Sequence, residues 1–559
     1  MKSKTIKKLY TLHSWVGVIT GILLFVIAFT GAVSVFGRPE IKVWATPEVR
    51  DLPKVDVAKV QSLVEKYVVT VPEHYKEEVL IFLPGTRSYK NLAIIFESHS
   101  GQPEKAEKPV PEGEAEPEHH SPPVGKLYEF DPYTYELVKE QEGLMEEIFE
   151  SRYWDMSDFI VGFHADLHMG RPIGLLTTGV LGLTMMLSIV TGIFIHRKIL
   201  GQLFTFRPRK NLSLMLNDGH KVIGVWGLLF NSVIAFTGAF LGLALVVLVP
   251  AAAFVSFGGD QEKLIETFTA MPDPVIQHVE QSTQVAKIIE GAYEIHADTV
   301  VNSVVIKGIG DASAMAYASI SGGDSVAGQT AVFNGATGEF EERYSNFERI
   351  GGFTGVILDV MFPLHFGNFG GVLVKAIWAV LGLGTALLPL TGLMLWMERG
   401  VNAANPKYSM KTYQRFNRLI VGGCGGIVVA TLFLFPTQMY LKFFTDFANV
   451  GPKLWWPFFG SWIAVVLWAM FSPCEKKTAK HITYLCAILL MSIMPMDAIL
   501  TGSHVFNVLS TGHYINVGID VVTFIMGVYM WLAVNKFTQL KAQSATANEP
   551  VSAPLEEAL

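Results

Sequence analysis

Histidines stand close to the ends of long apolar segments, where an ionisable side chain is costly and is a candidate for function. Imidazole binds haem iron from either side of the ring plane, and two such ligands give a closed site suited to electron transfer. A site of this kind between helices needs one histidine from each of two helices at the same depth. The histidines concerned are His13, His164, His168, His196, His220 and His365.

An internal repeat predicts that these histidines occur in matched positions. The run HSWVGVITGILLFVIAFTGA from His13 matches HKVIGVWGLLFNSVIAFTGA from His220 without a gap. LHMG at 167–170 likewise matches LHFG at 364–367, and each is followed by an apolar segment with a TG pair. The sequence therefore predicts two copies of one unit, residues 1–200 and 215–400, each consisting of a helix, an outer domain and a helix.

The repeat predicts two haems, one near each face of the membrane. His168 and His365 are equivalent, so we expect them at the same depth near the outer face. His13 and His220 are matched at the inner face, where His196 is a third candidate. Because the second copy has a tryptophan in place of His196, the inner pairing stays open: His13 with His220, or His196 with either.

The alternative interpretation is that these histidines are interfacial anchors. Membrane helices often end in polar or aromatic residues at the level of the headgroups. Duplication would copy an anchor as faithfully as a ligand, so the repeat by itself does not decide between the two interpretations.

Composition and apolar segments predict a polytopic membrane protein. The 559-residue chain is 50% hydrophobic and 17% charged, whereas soluble domains carry about 25% charged residues. We predict a mainly α fold with about eight spans, a twofold internal repeat and two small α+β outer domains. The predicted spans are 11–36, 173–196, 221–250, 371–397, 417–440, 455–472, 482–501 and 515–535.

Basic residues predict the orientation of these spans. Clusters of Lys and Arg precede the first span and follow the second, fourth and sixth, so all lie on one side of the membrane. By the positive-inside rule that side is cytoplasmic, and both termini are inside. The polar stretches then lie outside, and the first contains a Pro- and Glu-rich insertion at 101–125 that cannot bury a core and is expected to be disordered. The predicted division is 1–36, 37–170, 171–250, 251–363, 364–400, 401–540 for the four C-terminal spans, and 541–559 for a cytoplasmic tail.

Several classes of function are excluded by residue types. The three cysteines, Cys424, Cys474 and Cys486, form no CxxC or CxxCH motif, which excludes c-type haem attachment and a cysteine-held iron–sulfur cluster. Any haem is therefore non-covalent and is expected to be held by histidine. The net charge of −7 gives no support for nucleic-acid binding. No catalytic triad or paired carboxylates are recognisable, so no catalytic residue is predicted.

The segment LHSWVGVITGILLFVIAFTGAV, followed by LHMG and TG…HRK, resembles the PepSY-associated transmembrane helix family of bacterial inner membranes. EFDPYTYELV and VFNGATGEF resemble PepSY modules, and the resemblance covers about residues 5–400. Members include ferric-siderophore reductases, which are iron-regulated membrane proteins with two b-type haems. The resemblance implies haem ligands at His13, His168, His196, His220 and His365.

The resemblance also implies a function: a multi-pass inner-membrane oxidoreductase that passes electrons to a periplasmic ferric siderophore or other ferric chelate. No dinucleotide-binding motif is present, so we expect a separate electron donor, a quinol or a flavoprotein. Two alternatives stay open. One is a PepSY-type peptide-binding or peptidase-regulating protein without a cofactor. The other is a transporter, for which repeats and eight spans are suitable, with Asp497 as the main charged residue inside a span.

Overall fold

The computed structural model describes residues 3–546 except 87–88, 100–121, 262, 265–270, 324 and most of 197–211. Most of the predicted insertion at 101–125 and the end of the predicted tail at 541–559 therefore lie outside the described residues. The helices that build the fold are α1 (Ser3–Ser34), α2 (Val57–Val68), α3 (Met145–Glu150), α4 (Met156–Asp166), α5 (Ile173–Ile195), α6 (Leu212–Trp226), α7 (Leu228–Leu243), α8 (Val249–Phe257), α9 (Val285–Glu294), α10 (Gly352–Phe366), α11 (Gly371–Val401), α12 (Met410–Phe444), α13 (Trp455–Phe471), α14 (Glu475–Thr501) and α15 (Tyr514–Thr546).

Seven described helices are long and apolar enough to cross a membrane: α1, α5 and α11 to α15. The bent pair α6 and α7 raises the number to eight if it forms one span. This confirms the predicted polytopic helical fold. The chain is a multi-pass membrane protein.

A single antiparallel sheet joins the two polar stretches. Its strand order is β4-β3-β2-β1-β5-β6-β7-β8, and the halves meet where β1 pairs with β5, with Ile81 opposite Val304. The sequence predicts two separate domains. In separate domains, however, the apolar strands β1 and β5 would each expose an unpaired edge. The strands are β1 (Glu78–Phe82), β2 (Leu92–Ser98), β3 (Val124–Phe130), β4 (Leu137–Leu144), β5 (Val300–Lys307), β6 (Met315–Ser321), β7 (Gln329–Asn334) and β8 (Phe340–Ser345).

One apolar core is shared by both halves of the sheet. Val60 and Val64 of α2 and Ile288 and Ile289 of α9 are buried in the same cluster, together with residues of both sets of strands. The two helices were predicted from VDVAKVQSLVEKY and STQVAKIIEGAYE, and they pack against each other. The two polar stretches therefore fold as one body rather than as two.

The two sequence copies build related sets of helices. In the first copy α1 contacts α4 and α5, and in the second α6 and α7 contact α11 and α10, respectively. The copies interlock, because α1 also packs against α11 and α5 packs against α7. In each copy the last strand of a half-sheet leads by a short connection to the helix, α4 or α10, that precedes the second span.

The third predicted span, 221–250, is bent rather than straight. α6 and α7 meet at Gly227 with an angle of 71° between them. A Cβ at Gly227 would lie 2.9 Å from Asn231 Nδ2 and 3.0 Å from Ile223 O, so the break leaves room only for glycine. Asn231 accepts a 2.6 Å hydrogen bond from the Thr385 hydroxyl of α11, which fixes α7 inside the bundle.

The four C-terminal spans pack against α1 and α4 of the first copy and against α11 of the second. α12 contacts α13 and α14, and α14 contacts α15. One buried cluster joins Ile427 and Leu434 of α12 to Phe25 of α1 and to Phe159 and Phe163 of α4. The C-terminal spans therefore support the short helix α4. The equivalent helix of the second copy, α10, contributes no described residue to this cluster.

Candidate functional site

The first histidine pair lies where α1 begins, which we call the N-terminal side of the bundle. His13 on α1 and His220 on α6 have ring centres 6.2 Å apart and ring planes inclined by 82°. Of the three pairings left open by the sequence, the structure brings these two together. His196 follows the last residue of α5 in a non-helical conformation, and it has no ring contact within the described part of the chain.

Each ring of this pair is held by a carbonyl and a threonine of a neighbouring span. His13 Nδ1 lies 3.0 Å from the Ser188 carbonyl oxygen and 3.1 Å from the Thr191 hydroxyl, both on α5. His220 Nδ1 makes the matching contacts on α11, 3.2 Å from the Leu388 carbonyl oxygen and 3.1 Å from the Thr391 hydroxyl. The repeat thus duplicates the ring and its anchor together.

The second pair lies at the other end of the bundle, which we call the sheet side. His164 on α4 and His365 on α10 have ring centres 6.1 Å apart and planes inclined by 26°. His164 Nδ1 lies 3.0 Å from the Ile27 carbonyl oxygen and 3.5 Å from the Thr30 hydroxyl of α1. His365 Nδ1 lies 2.9 Å from the Thr237 hydroxyl of α7. These anchors come from the two copies of VIAFTGA.

The anchors determine which ring nitrogen is protonated. Each of the four threonines donates its hydroxyl hydrogen to the carbonyl four residues earlier, at 2.7–2.8 Å. The hydroxyl oxygens, like the carbonyls, are then left to accept a hydrogen from Nδ1. A neutral imidazole protonated at Nδ1 keeps a lone pair on Nε2, which is the state of a metal ligand. Within the described residues, Nε2 of these four histidines makes no hydrogen bond.

A glycine follows each anchoring threonine and lies under the ring of the histidine. A Cβ would come within 2.7 Å of the His164 ring at Gly31 and 3.2 Å of the His365 ring at Gly238. The corresponding distances on the N-terminal side are longer, 3.6 Å at Gly192 and 3.4 Å at Gly392. The Thr–Gly pairs therefore both hold the rings and leave space for them.

The spacing within each pair fits an iron ion between two imidazoles. Imidazole nitrogens bind first-row metal ions at about 2 Å, and ring bonds of about 1.3–1.4 Å place the nitrogen about 1.1 Å from the ring centre. Two axial rings on one iron therefore have centres about 6 Å apart, as both pairs do. The donor set, two neutral imidazoles with anchored Nδ1 atoms, is also that of a b-type haem.

The two pairs lie at different depths of the bundle. On α1, His13 belongs to one pair, and Ile27 and Thr30 hold a ring of the other. These positions are 14 and 17 residues apart, which corresponds to roughly 21–26 Å along a helix that rises about 1.5 Å per residue.

The helix that carries His164 is fixed at its start by buried charges. Asp155 caps α4 by accepting hydrogen bonds from the backbone N–H groups of Ser157 and Asp158, at 2.8 and 3.4 Å. Lys42 donates to the carboxylates of Asp155 and Asp158, each at 3.0 Å, and the side chains of all three residues are buried. This network fixes the position of α4 and hence the depth of the His164 ring.

His168 does not take the place that the repeat predicts for it. α4 ends at Asp166, and Leu167 and His168 both have positive φ, 55° and 53°. His168 therefore lies beyond the helix, with its ring 4.3 Å from Phe159 and 4.9 Å from Trp455 between ring centres. His164, one turn earlier, faces His365 instead. The expected pairing of His168 with His365 is thus replaced by His164 with His365.

Comparison with known proteins places the chain in a family. It matches the family described as the PepSY-associated TM region over residues 10–399, and it belongs to that family. This range includes both histidine pairs and ends before the four C-terminal spans. A Pseudomonas aeruginosa protein described as uncharacterized is 25% identical over 346 residues, which cover 58% of this chain and 82% of the relative.

Proposed function

We propose that this member of the PepSY-associated family holds two b-type haems, one at each histidine pair. His13 and His220 would be the axial ligands on the N-terminal side, and His164 and His365 those on the sheet side. The observation that carries the proposal is that two histidine pairs have ring centres 6.2 and 6.1 Å apart, and that each of the four rings has a threonine hydroxyl at Nδ1. An interfacial anchor needs neither a facing histidine nor a threonine at Nδ1.

The function proposed for this arrangement is a membrane oxidoreductase that delivers electrons to a ferric chelate on the sheet side. A haem held by two histidines would, when bound, supply one-electron transfer. The chain's own part is to hold four rings with Nε2 unprotonated and to keep them at two depths. Reduction of ferric iron weakens its binding to hard oxygen ligands, so no acid or base from the protein is required.

The orientation in this proposal is that the N-terminal side is cytoplasmic and the sheet is periplasmic, in a bacterial inner membrane. Basic residues support it, because cytoplasmic ends of spans are enriched in Lys and Arg. Such residues lie at the start of α1, the end of α11 and the starts of α12 and α14. They are Lys4, Lys7, Lys8, Arg399, Lys411, Arg415, Lys476, Lys477 and Lys480.

In this proposal the sheet forms the docking surface for the chelate, and short connections join it to the two helices that carry the sheet-side pair. β8 leads to α10, and Asp359 of α10 accepts hydrogen bonds from the Ser345 hydroxyl and the Phe347 N–H at 2.5 and 2.9 Å. β4 leads through α3 to α4. Electrons are expected from a separate quinol or flavoprotein, because the sequence contains no dinucleotide-binding motif.

The test is a visible spectrum of the protein purified in detergent, after expression with ample iron and haem precursor. The proposal predicts two b-type haems per chain, reduced by dithionite and reoxidised anaerobically by a ferric siderophore. The matched control is the same protein with an iron-free siderophore, which should leave the spectrum reduced. Absence of haem would contradict the proposal and favour the peptide-binding or transport alternatives. Haem that ferric chelates do not reoxidise would contradict the proposed acceptor.

A further inference from the structure

A second group of buried polar side chains lies away from the histidine pairs. Asp497 on α14 and Asp520 on α15 are fully or almost fully buried, 0% and 1% exposed. Arg50, from the segment after α1, donates to the two Asp497 oxygens at 2.8 and 3.3 Å. Both aspartates are in the C-terminal spans, beyond the residues that match the family.

The group contains one more acidic than basic side chain. Arg50 forms an ion pair with Asp497. Asp520 Oδ1 accepts a 2.9 Å hydrogen bond from Trp44 Nε1, which is a neutral donor. The other side chains that bond to this group, Asn516, Thr501 and Ser503, are neutral. His513 and Asp51 lie at its outer end. Were both aspartates ionised, the buried part would carry a net negative charge, which is unfavourable in a low-dielectric interior.

Neighbouring buried carboxylates do not show this imbalance. The segment that packs against α15 carries Glu40 and Lys42. Glu40 is paired with Lys375 at 2.8 Å. Asp155 and Asp158 are each paired with Lys42 at 3.0 Å, and Asp158 also forms an ion pair with Arg38, so two cations match these two carboxylates. The charges of that segment are therefore engaged elsewhere and do not neutralise Asp520.

Two oxygen atoms at the site have no hydrogen-bond partner among the described residues: Asp520 Oδ2 and Asn516 Oδ1. Asn516 is 0% exposed, lies one helical turn before Asp520, and donates from Nδ2 to Asp497 at 3.0 Å. Buried polar atoms normally have partners. A hydrogen on Asp520 Oδ2 would remove the excess charge and supply the donor that this part of the site lacks.

We propose that Asp520 carries a proton at neutral pH and, together with Asp497, forms a proton-binding site in the C-terminal spans. A metal cation does not suit the site, since hard cations require a shell of oxygen ligands. Arg50 already occupies both oxygens of Asp497, and the Trp44 and Asn516 N–H groups point into the site as donors. The site is independent of the histidine pairs.

A chain of polar side chains leads from this site to solution. Arg50 also donates to the hydroxyls of Thr501 and Ser503, at 2.9 and 3.2 Å, and so holds them side by side. The guanidinium stays protonated and does not itself pass a proton; the Thr501 hydroxyl, 3.2 Å from Asp497 Oδ1, reaches the buried site. Ser503 Oγ lies 2.8 Å from His513 Nδ1, and His513 Nε2 lies 2.7 Å from Asp51 Oδ1. Asp51 is 67% exposed at its side chain. His513 can accept a proton at Nε2 and release one from Nδ1, so we assign it as the residue that relays protons between Asp51 and the buried site.

The test is infrared spectroscopy of the purified full-length protein, in which a protonated carboxylic acid shows a separate C=O stretch. We expect a band at neutral pH that shifts when the aspartates are labelled with ¹³C and is lost in Asp520→Asn. This variant resembles the neutral acid in shape and should fold normally, as checked by thermal unfolding. Asp446→Asn, which changes an exposed aspartate, should keep the band. A wild-type protein without the band, or a band that persists in Asp520→Asn, would overturn the site.

The proposed relay is tested by transfer of the protein into D₂O. The shift of the Asp520 band should be slower in His513→Gln than in the wild type, and an equal rate would overturn the relay. Titration with Na⁺ provides a further check. A band that disappears on addition of Na⁺ would show a metal-cation site and contradict the proposal. Neither measurement depends on haem, so the result is separate from that of the proposed function.

Discussion

The rings of His164 and His365 face each other with centres 6.1 Å apart, although the sequence repeat aligns His365 with His168. The cause is a difference in where two equivalent helices end. α10 ends in a left-handed Gly367, directly after the LHF of the motif, whereas α4 ends in a left-handed Leu167 before His168. The ring that faces His365 therefore comes from one helical turn earlier.

Gly31→Ala tests whether the space under His164 is required. The added Cβ would lie 2.7 Å from Cε1 of His164, far inside van der Waals contact, so the ring must move. We expect this variant to lose the sheet-side haem and to retain the other, as measured by haem per chain. The matched control is Gly17→Ala on the same helix, where nothing lies within 4 Å of the new Cβ. Full haem content in Gly31→Ala would contradict the proposed ligand.

Thr237→Val tests the anchor of His365. Among the described residues Thr237 is the only partner of His365 Nδ1, whereas His13 would keep the Ser188 carbonyl in the control variant Thr191→Val. Loss of such a supporting hydrogen bond typically weakens metal binding by about 10–100-fold. We expect a loss of this size for Thr237→Val at the sheet-side haem and a smaller loss for Thr191→Val, measured by haem titration. An equal loss of haem affinity in the two variants would contradict the proposal that the hydrogen bonds at Nδ1 support haem binding.

Glu97 makes the stability of the sheet depend on pH. It is 7% exposed and lies directly opposite Glu78 on the neighbouring strand. Burial and the Glu78 charge raise the pKa of Glu97 to about 7. The pKa of Glu97 is therefore higher in the folded than in the unfolded protein. The contribution of protonated Glu97 to the free energy of unfolding is complete below about pH 4.5, and it is lost as the pH rises to about 7. His99 stays protonated over this range, since its hydrogen bond to Glu78 raises its pKa to about 9.

Glu97→Gln should therefore stabilise the protein at alkaline pH. We expect a gain in unfolding free energy of about 1–3 kcal/mol near pH 8, and little change near pH 5, from the size of the pKa shift. Thermal unfolding at the two pH values measures the difference. Glu73→Gln is the control, because the Glu73 side chain is 88% exposed and its loss should change little. A gain that is the same at both pH values would contradict the assigned cause.

Much of the fold follows from periodicity and composition. The spans, the repeat and the helices over the sheet have strong local signals, namely long apolar runs and the two copies of VIAFTGA. The pairing of β1 with β5 could not be predicted, because the hydrogen bonds between them join residues more than two hundred positions apart. The bend at Gly227 was also missed, since a single glycine in an apolar helix does not by itself indicate a break.

The site was predicted in part. The sequence indicated histidines at both ends of the bundle and left His13 with His220 among the inner pairings, and the structure places the centres of these two rings 6.2 Å apart. The sequence analysis named His164 as a candidate but did not pair it with His365, because LHMG and LHFG match residue by residue and nothing local shows that Leu167 adopts a left-handed conformation. One signal was available: His164 and His168 are one turn apart, so both lie on one helix face if the helix continues, and only the helix end separates them.

The central claim is tested most directly by comparing the haem content of His164→Ala and His168→Ala. Both variants remove an imidazole from the same short segment, so they serve as controls for each other. We predict that His164→Ala loses one haem per chain while His168→Ala retains both, as measured by pyridine haemochrome analysis of the purified proteins. Retention of both haems in His164→Ala with loss in His168→Ala would contradict the pairing seen in the structure. Absence of haem from the wild type would contradict the whole account.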